Sequence, residues 1–162
     1  MHIIVSEERP SWVRVVEEWI DELKSRVDAL EKRIDELYKK IADIFELHSE
    51  LVDVFSATRA LLVITLSTPV SLNVIEDGIK RWKEFADSYR KHLGKVPWPT
   101  IQVGIGMILA AAKVSNIDFD HVAAILIEIF GQDARHVVKI EDVIKFYGIE
   151  NADKWKRLIK AS

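Results

Sequence analysis

Apolar side chains recur through residues 13–55 in alternating steps of three and four. With Val13, Ile20, Val27, Ile34, Ile41, His48 and Phe55 at position a of a heptad, position d falls on Val16, Leu23, Leu30, Leu37, Ile44 and Leu51. A repeat of 3.5 residues is slightly shorter than the natural helical turn, and it keeps one apolar seam facing a partner helix. The pattern predicts a long coiled-coil-like helix and makes self-association the leading expectation. The side chains expected to carry it are Val13, Val16, Ile20, Leu23, Val27, Leu30, Ile34, Leu37, Ile41 and Ile44.

The flanks of the seam change along its length. Through residue 43 they are mostly charged, as in Asp21, Glu22, Lys24, Arg26, Asp28, Glu31, Lys32 and Arg33. After Ile44 the apolar face widens, with Phe45, Leu47, Val52 and Val54 joining Leu51 and Phe55. A narrow stripe suits a two-helix seam and a wide one suits burial in a bundle. Residues 1–44 are therefore expected to form a helical oligomerisation segment and residues 45–162 a helical bundle domain. About 31 helical residues at roughly 1.5 Å each give the first part a span of about 45 Å. A second helix has to cover so long an apolar edge. β-Branched residues at a with Leu at d favour a parallel dimer, and Arg26 at g faces Glu31 at the next e of the other copy. The competing arrangement is antiparallel, with residues 73–93 of the same chain folding back over the seam.

The rest of the sequence reads as further helices, giving an all-α fold: a long N-terminal helix followed by a compact multi-helix domain. Ser11 is a candidate N-cap for the first helix, which meets no Gly or Pro before Pro69. The run at residues 60–70 is also strand-like, but a lone strand would lack partners. A second helix carries the stripe Ile75, Ile79, Trp82, Ala86, Tyr89 and Leu93, opened by a capping box of Asn73 with Glu76 and stopped by Gly94. Residues 95–99 contain Pro97 and Pro99 and read as a stiff connector. Thr100 then caps an almost wholly apolar, hence central, helix over 101–114. Asp118 caps 119–130, which Gly131 closes; 140–147 ends at Gly148; and Asn151 caps 152–160.

Composition narrows the functional classes. The most apolar stretches, 60–66 and 101–112, fall short of the ~20 residues that cross a bilayer, so no membrane partner is expected. Residues 1–9 do not resemble a secretion signal, since Glu7, Glu8 and Arg9 follow only four apolar-leaning residues. The chain contains no cysteine, which removes disulfides and thiolate metal sites. The expected compartment is the cytoplasm. Asn and Gln total only five residues beside abundant Glu, Lys and Arg, a thermophile-like balance.

Charge is uneven although the net value is −3. Residues 1–50 hold thirteen acids and eight bases, whereas Lys80, Arg81, Lys83, Arg90, Lys91 and Lys95 form one basic patch and Lys154, Lys156, Arg157 and Lys160 another. Such patches neutralise phosphates in nucleic-acid-binding proteins, but cations near helix C-termini also complement the helix dipole. A helix-turn-helix reading takes 119–130 with 140–147, or 140–147 with 152–160 across a turn at 148–151.

Other chemical signals are weak. Gly104 and Gly106 lack the third glycine and the strand of a dinucleotide loop, and are read as close helix packing. Asp118, Asp120 and His121 could in principle hold a metal ion, but Asp118 is explained as a cap and Asp120 as a first-turn acid favoured by the helix dipole. The histidines His2, His48, His92, His121 and His136 lack metalloprotease spacing, and no serine sits in a nucleophile elbow. His48, at an a position, would fix register, and if it faced its counterpart across a dimer axis, protonation would weaken association; the competing reading is a contact with a nearby acid such as Glu50, or with solvent. The expectation is a noncatalytic homodimer or higher homo-oligomer without cofactor or metal, serving as a scaffold, adaptor or structural protein that binds another protein. The alternative is a dimeric nucleic-acid-binding regulator or packaging protein.

Overall fold

Residues 10–161 are described in a computed structural model of the chain. Among them are seven α-helices and one 3-10 turn, and no strand. The helices are α1 (Ser11–Thr65), α2 (Leu72–Leu93), α3 (Trp98–Val114), α4 (Phe119–Phe130), the single turn α5 (Ala134–Val137), α6 (Ile140–Tyr147) and α7 (Ile149–Ala161). The fold is all-α, a long N-terminal helix followed by a compact helical bundle. His2 and the rest of residues 1–9 lie outside the described residues.

Contacts divide the chain into two units, one ending at Ile44 and the other beginning at Phe45. In the first, residues 11–44 are helical throughout. The sequence favours this without tertiary help, since Glu22 and Arg26, Asp28 and Lys32, Asp35 and Lys39, and Glu36 and Lys40 each stand four apart with the acid first. Each such spacing stabilises a helix by about 0.2–0.5 kcal/mol. The Pro10 carbonyl accepts the Val13 amide at 2.9 Å, so Ser11 is the first helical residue and not the cap.

The second unit holds residues 45–65 of α1 with α2–α7. Here α1 buries Leu47, Val54, Thr58, Leu61 and Thr65, with Leu51 and Phe55 half-buried. Steps of three and four persist, but the line lies one residue earlier than the heptad reading, so His48 is exposed where Leu47 is buried. The widened apolar face, with Leu47, Val52 and Val54 beside Leu51 and Phe55, leaves the packed line to be set by the helices that cover it. The strand-like run is helical through Thr65, whose Oγ1 donates to the Leu62 carbonyl at 2.6 Å.

Trp82 of α2 is the pivot of the core. It is fully buried, packs edge-on to Phe55 and Phe85, and donates its indole N–H to Thr58 Oγ1 at 2.9 Å. The Thr58 hydroxyl in turn donates to the Val54 carbonyl at 2.7 Å. Helix α3 is central as its composition predicts, touching α2, α4, α5 and α6. Its glycines permit those approaches: a Cβ on Gly104 would lie 2.0 Å from Trp82 Cζ2, and one on Gly106 would lie 2.8 Å from Asp142 Oδ2 of α6. Gly104 and Gly106 are packing residues.

Several predicted caps are displaced. Ser71, not Asn73, precedes α2, and Val74 and Ile75 donate to its carbonyl. Helix α3 starts at Trp98 with Pro99 in its first turn, where a missing N–H costs nothing, so Thr100 is inside the helix. Asn151 lies within α7 and its Nδ2 donates to the Tyr147 carbonyl at 2.7 Å. Gly94, in the left-handed region at φ 72°, and Gly148 end α2 and α6 as expected. Asp118 stands at the N-cap of α4, though its side chain makes no capping bond. The short turns over 131–137 have no counterpart in the sequence pattern.

Candidate functional site

Along residues 11–44 of α1 the seam side chains face solvent. Val16, Ile20, Leu23, Val27, Leu30, Ile34, Leu37, Ile41 and Ile44 are 38 to 57% exposed, and Val13 is half-buried. Four aromatic residues of the same helix are more open still: Trp12, Trp19, Tyr38 and Phe45, at 61 to 70%. Heptad arithmetic puts Trp12 and Trp19 at g and Tyr38 and Phe45 at e, on the shoulders of the seam. Reading only a and d passes over them, although their positions are visible in the sequence. Singly scattered exposed apolar residues are ordinary on a protein surface, whereas these lie in one ordered row along the helix.

The ten basic residues divide into three groups. Lys80 pairs with Glu76 at 3.3 Å, Lys83 with Asp87 at 2.7 Å, Arg90 with Asp133 at 3.1 Å and Lys154 with Asp120 at 2.9 Å. Arg81 lines a shallow cleft with Glu50, Asp53 and Glu84. Lys91, Lys95, Lys156, Arg157 and Lys160 are exposed. Helices α6 and α7 are joined by Gly148 alone, which is shorter than the three- or four-residue turn of a helix-turn-helix. Trp155 of α7 is fully buried against Phe119, so only part of that helix is open to a ligand.

A surface cleft of about 320 Å³ is lined by Lys113, Asn116, Asp118, Asp120, Tyr147 and Asn151 among others. Tyr147 donates its hydroxyl to the Ile117 carbonyl at 2.9 Å. Burial pushes its pKa up to about 12, and the Asp118 carboxylate adds to the rise. A phenol held neutral, with its proton already engaged, supplies neither a nucleophile nor a general base near neutrality. Asp120 is tied to Lys154. No helix among the described residues is long and apolar enough to cross a membrane. The chain matches no family model, no curated protein and no solved structure.

Proposed function

We propose that this protein is a noncatalytic, homo-oligomeric helical scaffold or adaptor of the cytoplasm. It assembles through the α1 seam from Val13 to Ile44 and presents its helical bundle to another protein. The observation that carries this reading is the unbroken row of exposed seam residues on a well-formed helix. Full burial of an Ile, Leu or Val contributes about 1.5–3 kcal/mol. Covering ten half-exposed side chains on each of two copies is then worth about 20 kcal/mol, more than the roughly 4–15 kcal/mol that association costs.

Nucleic-acid binding draws less support. Four of the ten basic residues are already held by acids, and the α6–α7 link does not suit groove insertion.

The double variant Leu30→Lys, Ile34→Lys tests the proposal. It places two cations in the middle of the seam and is expected to run as a monomer in light scattering coupled to size exclusion. A double variant that keeps the parental mass contradicts the proposal.

A further inference from the structure

We infer that the two copies of α1 pair in parallel and in register, and that orientation is set by the residues flanking the seam. This rests on the self-association proposed above and adds its geometry. The g positions through the seam are Trp12, Trp19, Arg26, Arg33 and Lys40; the e positions are Glu17, Lys24, Glu31, Tyr38 and Phe45. In a parallel pair each g residue meets the e residue five positions further along the other copy. Trp19 then meets Lys24, Arg26 meets Glu31, Arg33 meets Tyr38, and Lys40 meets Phe45. One is an opposite-charge pair and three bring a cation to an aromatic ring, each favourable. The remaining pair, Trp12 with Glu17, opposes no like charges. The aromatic members, exposed in the single chain, gain cover on the shoulders of the seam.

Antiparallel pairing sets g against g and e against e. The register that overlaps the whole seam, Val13 opposite Ile44, sets Arg26 against Arg33 twice by symmetry. It retains the attractive meeting of Lys24 with Glu31 and of Trp19 with Lys40, but spends part of that gain on repulsion near the centre. The seam residues agree with the flanks, since Val13, Ile20, Val27, Ile34 and Ile41 at a with Leu23, Leu30 and Leu37 at d favour two parallel strands. The occupant of the exposed face is therefore a second copy lying in the same direction.

Because the chain has no cysteine, orientation can be read with introduced thiols. Ile20→Cys and Leu37→Cys are prepared separately and as an equal mixture, then equilibrated in a glutathione redox buffer, with masses taken by light scattering. The parallel pair predicts that each variant alone converts to a self-linked dimer. Cross-linking confined to the mixture shows antiparallel pairing and overturns the inference, as does a dimer that forms no disulfide in any sample or a mass of three or more copies. A monomeric mass without cross-links instead overturns the underlying self-association. Arg33→Glu gives an independent readout. It removes the cation facing Tyr38 in the parallel pair and is expected to weaken dimerisation about fivefold to tenfold. In the antiparallel pair it places Glu against Arg26, and tighter association would overturn the inference.

Discussion

Trp82 donates its indole N–H to Thr58 Oγ1 at 2.9 Å, joining the centre of α2 to α1 in the middle of the apolar core. The other fully buried indole of the bundle, Trp155, has no hydrogen-bond partner for its Nε1 among the described residues. Two tryptophans of equal burial thus differ in the one polar atom each carries.

Substitution by Phe separates that atom from the ring. Trp82→Phe loses a buried hydrogen bond along with volume, whereas Trp155→Phe loses volume but removes a buried donor that has no partner among the described residues. Trp82→Phe is expected to cost about 1–2 kcal/mol more than Trp155→Phe, from urea unfolding of the two variants. Equal costs would show that the Thr58 contact contributes nothing net.

The glycines of the bundle make a second contrast. Gly104→Ala drives a methyl into the Trp82 ring, whose nearest atom is 2.0 Å away, and is expected to destabilise by about 1–3 kcal/mol or more. Gly78→Ala meets the flexible end of Ile108 at 3.3 Å and gains about 1 kcal/mol of helix propensity. It is expected to leave the thermal midpoint close to that of the parent.

Tyr147 gives the fold a pH dependence at its alkaline edge. Its pKa rises from 10.0 to about 12, through burial first and Asp118 second. The folded state therefore holds the phenol proton more tightly than the unfolded chain does. That contribution is fully present below pH 10 and is lost as pH rises through about 12. Tyr147→Phe is expected to remove this part of the alkaline decline, while costing the hydrogen bond to Ile117 wherever the parent's phenol keeps its proton. Urea midpoints of parent and variant across that window check it; parallel curves would contradict it.

Much of this architecture is legible in the sequence because its signals are local. The 3.5-residue stripe, the stops at Gly94 and Gly148, and the apolar circumference of α3 each depend on a few neighbouring residues. What escaped depends on competition between equivalents. Ser71 and Asn73 are both residue types that suit a cap, and α2 begins after Ser71 although its side chain makes no capping bond. Pro99 reads as a breaker until it is placed in a first turn, where its missing N–H is harmless. The phase of α1 after Ile44 depends on where α2 lies, which no window of α1 encodes. At the candidate surface the a and d residues are evident, whereas the g and e aromatics emerge only when the flanks are asked what they would meet.

The mass of the intact chain in solution tests the central claim most directly. Light scattering coupled to size exclusion is expected to return twice the 18.6 kDa chain mass, holding as the sample is diluted through the micromolar range. A mass of 18.6 kDa across that range would mean that the α1 seam stays uncovered by a second copy, and would contradict the account.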